Sequence, residues 1–128
     1  SADQLLTLDS LPHFDQDILH FCSLALVSEE CRNTLNSAIT NVKGQGGLLS
    51  FDVNLREQMW SDREQMFTII HHFASQADIL KLSEEEWYWL VGTHDFAKAI
   101  SMLQSIPSRL KVVTYGAQGS MVLWQNQV

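Results

Sequence analysis

The sequence predicts an α/β fold of the three-layer α/β/α kind: a mostly parallel sheet flanked by helices, ending in a C-terminal β-hairpin. Three observations predict it. Short apolar runs alternate with stretches of helical periodicity. Serine caps and glycine stops punctuate the helical stretches. A glycine turn too short for a crossover separates the last two runs.

Ile18 to Leu26 is a near-continuous apolar run and reads as a buried strand. Ser28 offers an N-cap, with Glu29 and Glu30 favourably placed in the first turn of a helix. Cys31, Leu35, Ala38, Ile39 and Val42 give that helix one apolar face, and Gly44, Gly46 and Gly47 end it. Leu48 to Val53 is the second strand, followed by a connector from Asn54 to Trp60. Ser61 and Glu64 have capping-box spacing for a helix whose apolar positions are Met66, Phe67, Ile69, Ile70, Phe73 and Ala74. Asp78 to Leu82 is a third strand. Ser83 and Glu86 repeat the capping-box spacing before a short helix that carries Trp87, Leu90 and Val91 to Gly92. Phe96 to Leu103 is a further helix, stopped before Pro107. Leu110 to Tyr115, the turn Gly116 to Gly119, and Ser120 to Trp124 complete the hairpin. Alternating strands and helices imply parallel strands with helices on both faces.

The chain has 128 residues, suited to one domain. With 45% hydrophobic and 18% charged residues, it has the composition of a globular protein, not of a disordered tail. A net charge of −7 argues against nonspecific binding to nucleic acid or to an anionic membrane surface. An anionic ligand stays possible, because a nucleotide site needs only a few backbone donors and one or two cations. No apolar run approaches the roughly 20 residues that span a bilayer, and Ser1 to Asp9 carries no secretory pattern. The sequence starts without Met, which suggests a processed or trimmed chain. Cys22 and Cys31 fit no zinc spacing and read as reduced, buried thiols of a cytoplasmic protein.

In open α/β sheets, ligands gather beyond the carboxyl ends of the strands. Ala25 to Glu29, Asp52 to Arg56, Lys81 to Glu86 and Thr114 to Gly119 occupy such positions. Arg56 has the planar fork that grips phosphate, and Asn54 can donate to an oxygen. The alternative is a polar strand end whose side chains cap neighbouring helices. Ser83 and Glu86 suit magnesium-bound water or phosphate, since magnesium sheds its waters reluctantly. They equally make an ordinary helix cap, and Glu84, Glu85 and Glu86 favour a helix N-terminus in any case. Thr114, Gly116 and Gly119 bound a turn with little bulk, where backbone amides can approach a phosphate; the same turn also makes a hairpin. Neither a Walker nor a dinucleotide fingerprint is present. His71 and His72 are adjacent and point apart on a helix, and His13, His20 and His94 have no partnered spacing. Trp60, Trp87, Trp89 and Trp124 read as packing residues.

Taken together, four segments resemble the fructokinases of the ribokinase, or PfkB, family. Asp52-Val53-Asn54-Leu55-Arg56 with Trp60 resembles their Asp-Pro-Asn-x-Arg and Leu-Trp. Ala77-Asp78-Ile79-Leu80-Lys81-Leu82-Ser83 with Glu84, Glu85 and Glu86 is similar to Ala-Asp-x-x-Lys-x-Ser-x-Glu-Glu. Val113-Thr114-Tyr115-Gly116-Ala117-Gln118-Gly119 is similar to Val-Thr-x-Gly-x-x-Gly, and Leu19 to Leu26 fits the preceding strand. The segments stand in the family's order and cover nearly all of the chain from about Leu11. The resemblance implies a ribokinase-like, Rossmann-like fold and transfer of the γ-phosphate of ATP, with Mg2+, to a primary hydroxyl of a sugar. By position, Asn54 and Arg56 would face the substrate and phosphate. Ser83 and Glu86 would stand at the family's Asn-x-x-Glu motif for magnesium and phosphate, with Ser in place of Asn and no direct metal ligand assigned. Thr114, Gly116 and Gly119 would lie against the nucleotide. Val53 and Glu57 replace two common prolines.

The family's N-terminal glycine pair and lid strands are not in this sequence. Nor is its Gly-Ala-Gly-Asp segment, whose Asp is the base and whose amides form the anion hole. The resemblance therefore implies that residues 1–128 are the truncated central part of one kinase domain, without a catalytic residue of its own and inactive alone. An unpaired sheet edge then predicts self-association, as a dimer. A non-catalytic binding or regulatory module is the alternative, as are kinases for aminoimidazole riboside or 2-keto-3-deoxygluconate.

Overall fold

Five strands and four α-helices alternate along residues 17–125, the part of the chain that the computed structural model describes. The readings of Ser1 to Asp9, of His13 and of the resemblance before Asp17 lie outside these residues. The strands are β1 (Ile18–Cys22), β2 (Leu48–Asp52), β3 (Ile79–Ser83), β4 (Leu110–Thr114) and β5 (Ser120–Trp124). The helices are α1 (Glu29–Gly44), α2 (Arg63–Gln76), α3 (Glu84–Val91) and α4 (Phe96–Ser105). The α/β class, the parallel sheet and the terminal hairpin are as expected. β1 to β4 run parallel in sequential order, and β5 pairs antiparallel with β4.

Sequential order has a consequence for the layers. Right-handed crossovers between consecutive neighbours carry every helix to the same side of the sheet. Phe73 of α2 meets Phe21 of β1 edge-on, and Phe21 stacks on Phe51 of β2 at 4.8 Å. Leu35, Ile39 and Val42 of α1 and Trp87 and Leu90 of α3 join the same buried cluster. Leu19, Phe21, Leu49, Phe51, Leu80, Leu82 and Val113 line that face. The opposite face carries Ile18, His20, Ser50, Asp52, Ile79, Lys81 and Val112, half-buried or exposed. The described residues thus supply the sheet and one helical layer, not helices on both faces.

Several boundaries differ from the sequence reading, for local reasons. β1 stops at Cys22, and Ser23–Leu26 coils into a 3-10 turn. An apolar run cannot by itself distinguish strand from tight turn. The cap of α2 is Asp62, not Ser61: its carboxylate accepts from the amides of Glu64 and Gln65. Two capping residues stand side by side, and the acidic one takes the helix start, its single oxygen accepting two first-turn amides. α4 is capped by Asp95 and runs on to Ser105. Ser28 and the Ser83–Glu86 capping box behave as expected.

Two tight points set the entry to β2 and β3. A Cβ on Gly47 would sit 2.4 Å from Val42 Cγ1 and 2.8 Å from the Asp17 carbonyl, so only glycine fits between α1 and β1. Asp78, just before β3, accepts from Lys43 Nζ at 2.7 Å and from the Leu49 amide at 2.8 Å. It ties the end of α1 and the start of β2 to β3. Cys22 and Cys31 are half-buried, not buried: Cys22 faces the open side of the sheet and Cys31 sits in the first turn of α1. Trp60 and Trp87 pack as expected, whereas Trp124 is 53% exposed on the outer strand and does not. No helix among the described residues is long and apolar enough to cross a membrane.

Candidate functional site

The carboxyl ends of β2 and β3 converge because the strands pair in parallel, with Asp52 opposite Lys81. After β2 the chain runs through Val53, whose amide donates to the Lys81 carbonyl at 2.9 Å, and then turns sharply. Asn54 makes the turn with φ of 40°, a left-handed conformation that asparagine tolerates better than most residues. Its carbonyl accepts from the Ser23 hydroxyl at 2.8 Å. Arg56 follows, exposed and without an ion pair among the described residues. A 3-10 turn at Glu57–Met59 leads towards α2.

At the end of β3, Ser83 caps α3. Its hydroxyl accepts from the Glu86 amide at 3.2 Å, and Glu86 Oε1 accepts from the Ser83 amide at 2.8 Å. Glu86 Oε2 reaches further and accepts the Leu55 amide at 2.6 Å. Between the two strand ends opens a cavity of about 310 Å3, lined by Leu55, Glu57, Gln58, Ser83, Glu85, Glu86 and Trp89. The structure therefore brings Ser83 and Glu86 to one cleft with Leu55 of the Asn54–Arg56 loop, whereas Asn54 and Arg56 flank Leu55 without lining the cavity.

Thr114 is the strand partner of Ser83, which puts the third segment beside the end of β3, but neither Thr114 nor Gly116 nor Gly119 lines the cavity. Gly116 and Gly119 have φ of 63° and 100°, which side chains resist, and they shape the turn into β5. Tyr115 lies beside it, its hydroxyl 3.8 Å from Met121 Sδ. Burial pushes the Tyr115 phenol above its ordinary range, and the Glu84 carboxylate pushes the same way.

Asp52 stands below this cleft on the open sheet face. Burial raises its pKa, while Lys81 opposes, Glu86 adds to the rise, and His20 and the Asn54 backbone oppose more weakly. Sequence reasoning named the loop but missed Ser23, a fully buried serine inside an apolar run. It also gave His20 no partner, although His20 Nδ1 lies 2.9 Å from Ser50 Oγ. His71 and His72 are exposed on α2, in ring contact with Phe67 and Phe73.

Comparison with known proteins agrees with this architecture. Residues 2–128 match the family model described as pfkB family carbohydrate kinase. A fructokinase of Vibrio alginolyticus is 34% identical over 128 residues; the match covers 99% of this chain and 42% of that protein. Among solved structures, the fructokinase of Vibrio cholerae O395 bound to fructose, ADP and calcium is similar with a TM-score of 0.81 at 38% identity. That match covers 98% of this chain and 41% of the other. The aminoimidazole riboside kinase of Salmonella enterica, with aminoimidazole riboside and an ATP analog, is similar with a TM-score of 0.77 at 26% identity over 98% of this chain and 42% of the other. This chain thus spans about two fifths of the relatives it matches. Its strands, crossovers and hairpin are those of the ribokinase-like fold, and the chain belongs to the pfkB family of carbohydrate kinases.

Proposed function

We propose that the protein of which this chain is the central part transfers the γ-phosphate of ATP to a hydroxyl of a sugar, with fructose the first candidate. One observation carries the reading: the Asn54–Arg56 loop and the Ser83–Glu86 helix start meet at one cleft through the 2.6 Å bond from the Leu55 amide to Glu86. Sugar-like and nucleotide-like ligands in the two similar crystal structures support it.

In this reading Asn54 and Arg56 bind the substrate and its phosphate. The Arg56 fork is suited to that, exposed as it is one residue beyond Leu55, which lines the cleft. Thr114, Gly116 and Gly119 lie along the nucleotide phosphates, where a turn without bulk allows amides to approach. Ser83 and Glu86 act near Mg2+. No cluster of three ligating side chains exists among the described residues, and both Glu86 oxygens already accept amides. That donor set fits an ion which keeps its waters and is held mainly by nucleotide phosphate. Bound there, Mg2+ would neutralise charge on the phosphates.

The 128-residue chain alone is inactive in this reading, since it carries no Gly-Ala-Gly-Asp segment to supply base and anion hole. Among the described residues the outer strands β1 and β5 present edges that favour a dimer, and the compartment in this reading is the cytoplasm. The test is a kinase assay of the full-length protein and of this chain, each with fructose and with aminoimidazole riboside. Turnover of fructose by the former and of neither compound by the latter is expected. Preference for aminoimidazole riboside would move the substrate assignment; turnover by the 128-residue chain would overturn its inactivity. Sedimentation of the isolated chain as a strict monomer at high concentration would remove the dimer.

A further inference from the structure

We propose that Ser23 and Glu86 are positioning residues that clamp the Asn54–Leu55 peptide from its two sides and so aim the Asn54 and Arg56 side chains. The two bonds fall on one peptide group. The Ser23 hydroxyl donates to its carbonyl at 2.8 Å, and its N–H donates to Glu86 Oε2 at 2.6 Å. In a trans peptide these two atoms point in opposite directions, so the plane is held against rotation from both sides.

A held plane is what this position needs. Asn54 sits at φ of 40°, which an L residue leaves readily unless its neighbours over-determine it. The preceding residue is fixed as well: the Val53 amide donates to the Lys81 carbonyl at 2.9 Å, and the Val53 carbonyl accepts from the Ser23 amide at 3.3 Å. The clamp residues come from far along the chain. Ser23 opens the 3-10 turn after β1, and Glu86 is in the first turn of α3; each lies 31 residues from its partner. Ser23 is fully buried, so its hydroxyl has no access to solvent as an alternative partner. Glu86 is anchored by the Ser83 cap, which leaves its second oxygen directed at Leu55. The ends of β1, β2 and β3 are thereby locked around one backbone unit.

This inference rests on the proposed function for its consequence, the aim of Asn54 and Arg56, but the clamp itself is measurable without turnover. The experiment is amide hydrogen exchange by NMR on the 128-residue chain, comparing wild type with Ser23→Ala and Glu86→Gln. The Leu55 amide reports the clamp, and the Leu82 amide in β3 reports general opening. Leu55 exchange at least tenfold faster in both variants, with Leu82 within twofold of wild type, is the expected result. Unchanged Leu55 exchange in either variant overturns the clamp. Equal acceleration of Leu55 and Leu82 overturns it too, because both residues would then act through the core at large. In the full-length protein, Ser23→Ala raises the sugar KM more than the ATP KM, a split that mere loss of stability does not produce. A full-length protein without sugar kinase turnover would remove the proposed function and leave the exchange result standing.

Discussion

Asp52 and Lys81 stand opposite each other on β2 and β3, on the sheet face that the helices leave open. Their attraction lowers the Asp52 pKa, yet burial outweighs it and the net shift is upward from 3.8. Opposite charges in register are therefore not a net stabiliser of the ionised carboxylate here, because the site withdraws solvent faster than Lys81 replaces it.

The sign of that shift gives a pH dependence. A carboxyl whose folded pKa lies above its unfolded value favours folding when protonated, and that contribution is lost as pH rises through the folded pKa. At pH 7 the ionised Asp52 is thus a cost to the fold. Asp52→Asn is expected to melt higher than wild type at pH 7, with the gap closing as pH falls towards 4. Thermal melts at several pH values check this; a lower melting temperature for Asp52→Asn at pH 7 would show the burial argument to be wrong.

Lys111 shows the opposite case, on the core face of β4. It is fully buried, with Nζ 3.4 Å from the Gln104 carbonyl near the end of α4. Burial lowers its pKa. A lysine with a depressed folded pKa penalises the fold while charged, and the penalty lifts as pH rises from the folded towards the unfolded pKa. Lys111→Met is expected to melt higher than wild type at pH 7, and the advantage is expected to shrink by pH 10. A difference that is constant across this range would assign the effect to packing alone.

Phe21 is the centre of the aromatic cluster: fully buried, stacked on Phe51 and edge-on to Phe73. Phe21→Ala opens a cavity between the sheet and α2 and is expected to cost about 3–5 kcal/mol. Against a total of roughly 5–15 kcal/mol for a domain, that is a large share. Urea titration of both proteins measures it, and a loss below about 1 kcal/mol would mean that the cluster is not packed as described.

Arg56 is exposed and carries no ion pair among the described residues, so its stability role is small. In the full-length protein, Arg56→Lys is expected to lower kcat/KM for the sugar about tenfold or more, because a point charge replaces a two-pronged donor. Its melting temperature is expected to stay within a degree or two of wild type. Unchanged kcat/KM would take Arg56 out of the binding site.

Most element identities were legible in the sequence. The apolar spacing of α1, the Ser83–Glu86 capping box and the glycine turn before β5 each encode their structure within a few residues. Errors fell where neighbours compete locally, as at Ser61 and Asp62, or where composition is neutral, as in the apolar stretch after Cys22. The turn after β2 was legible as a connector from Asn54 onward, whereas the sharp left-handed conformation of Asn54 was not.

By itself, then, the sequence determined the order and type of elements, the strand ends at which polar residues collect, and the family resemblance those segments carry. Only the tertiary structure decided that all four helices share one face and that Asp52 is raised in spite of Lys81. It alone joined Ser23 and Glu86 at the Asn54–Leu55 peptide. The physical reason is common to these features. Local periodicity and capping act within one or two turns of chain, whereas burial and backbone hydrogen bonds depend on what packing brings together. A peptide N–H or carbonyl is the same in every residue, so its partner leaves no mark in the sequence.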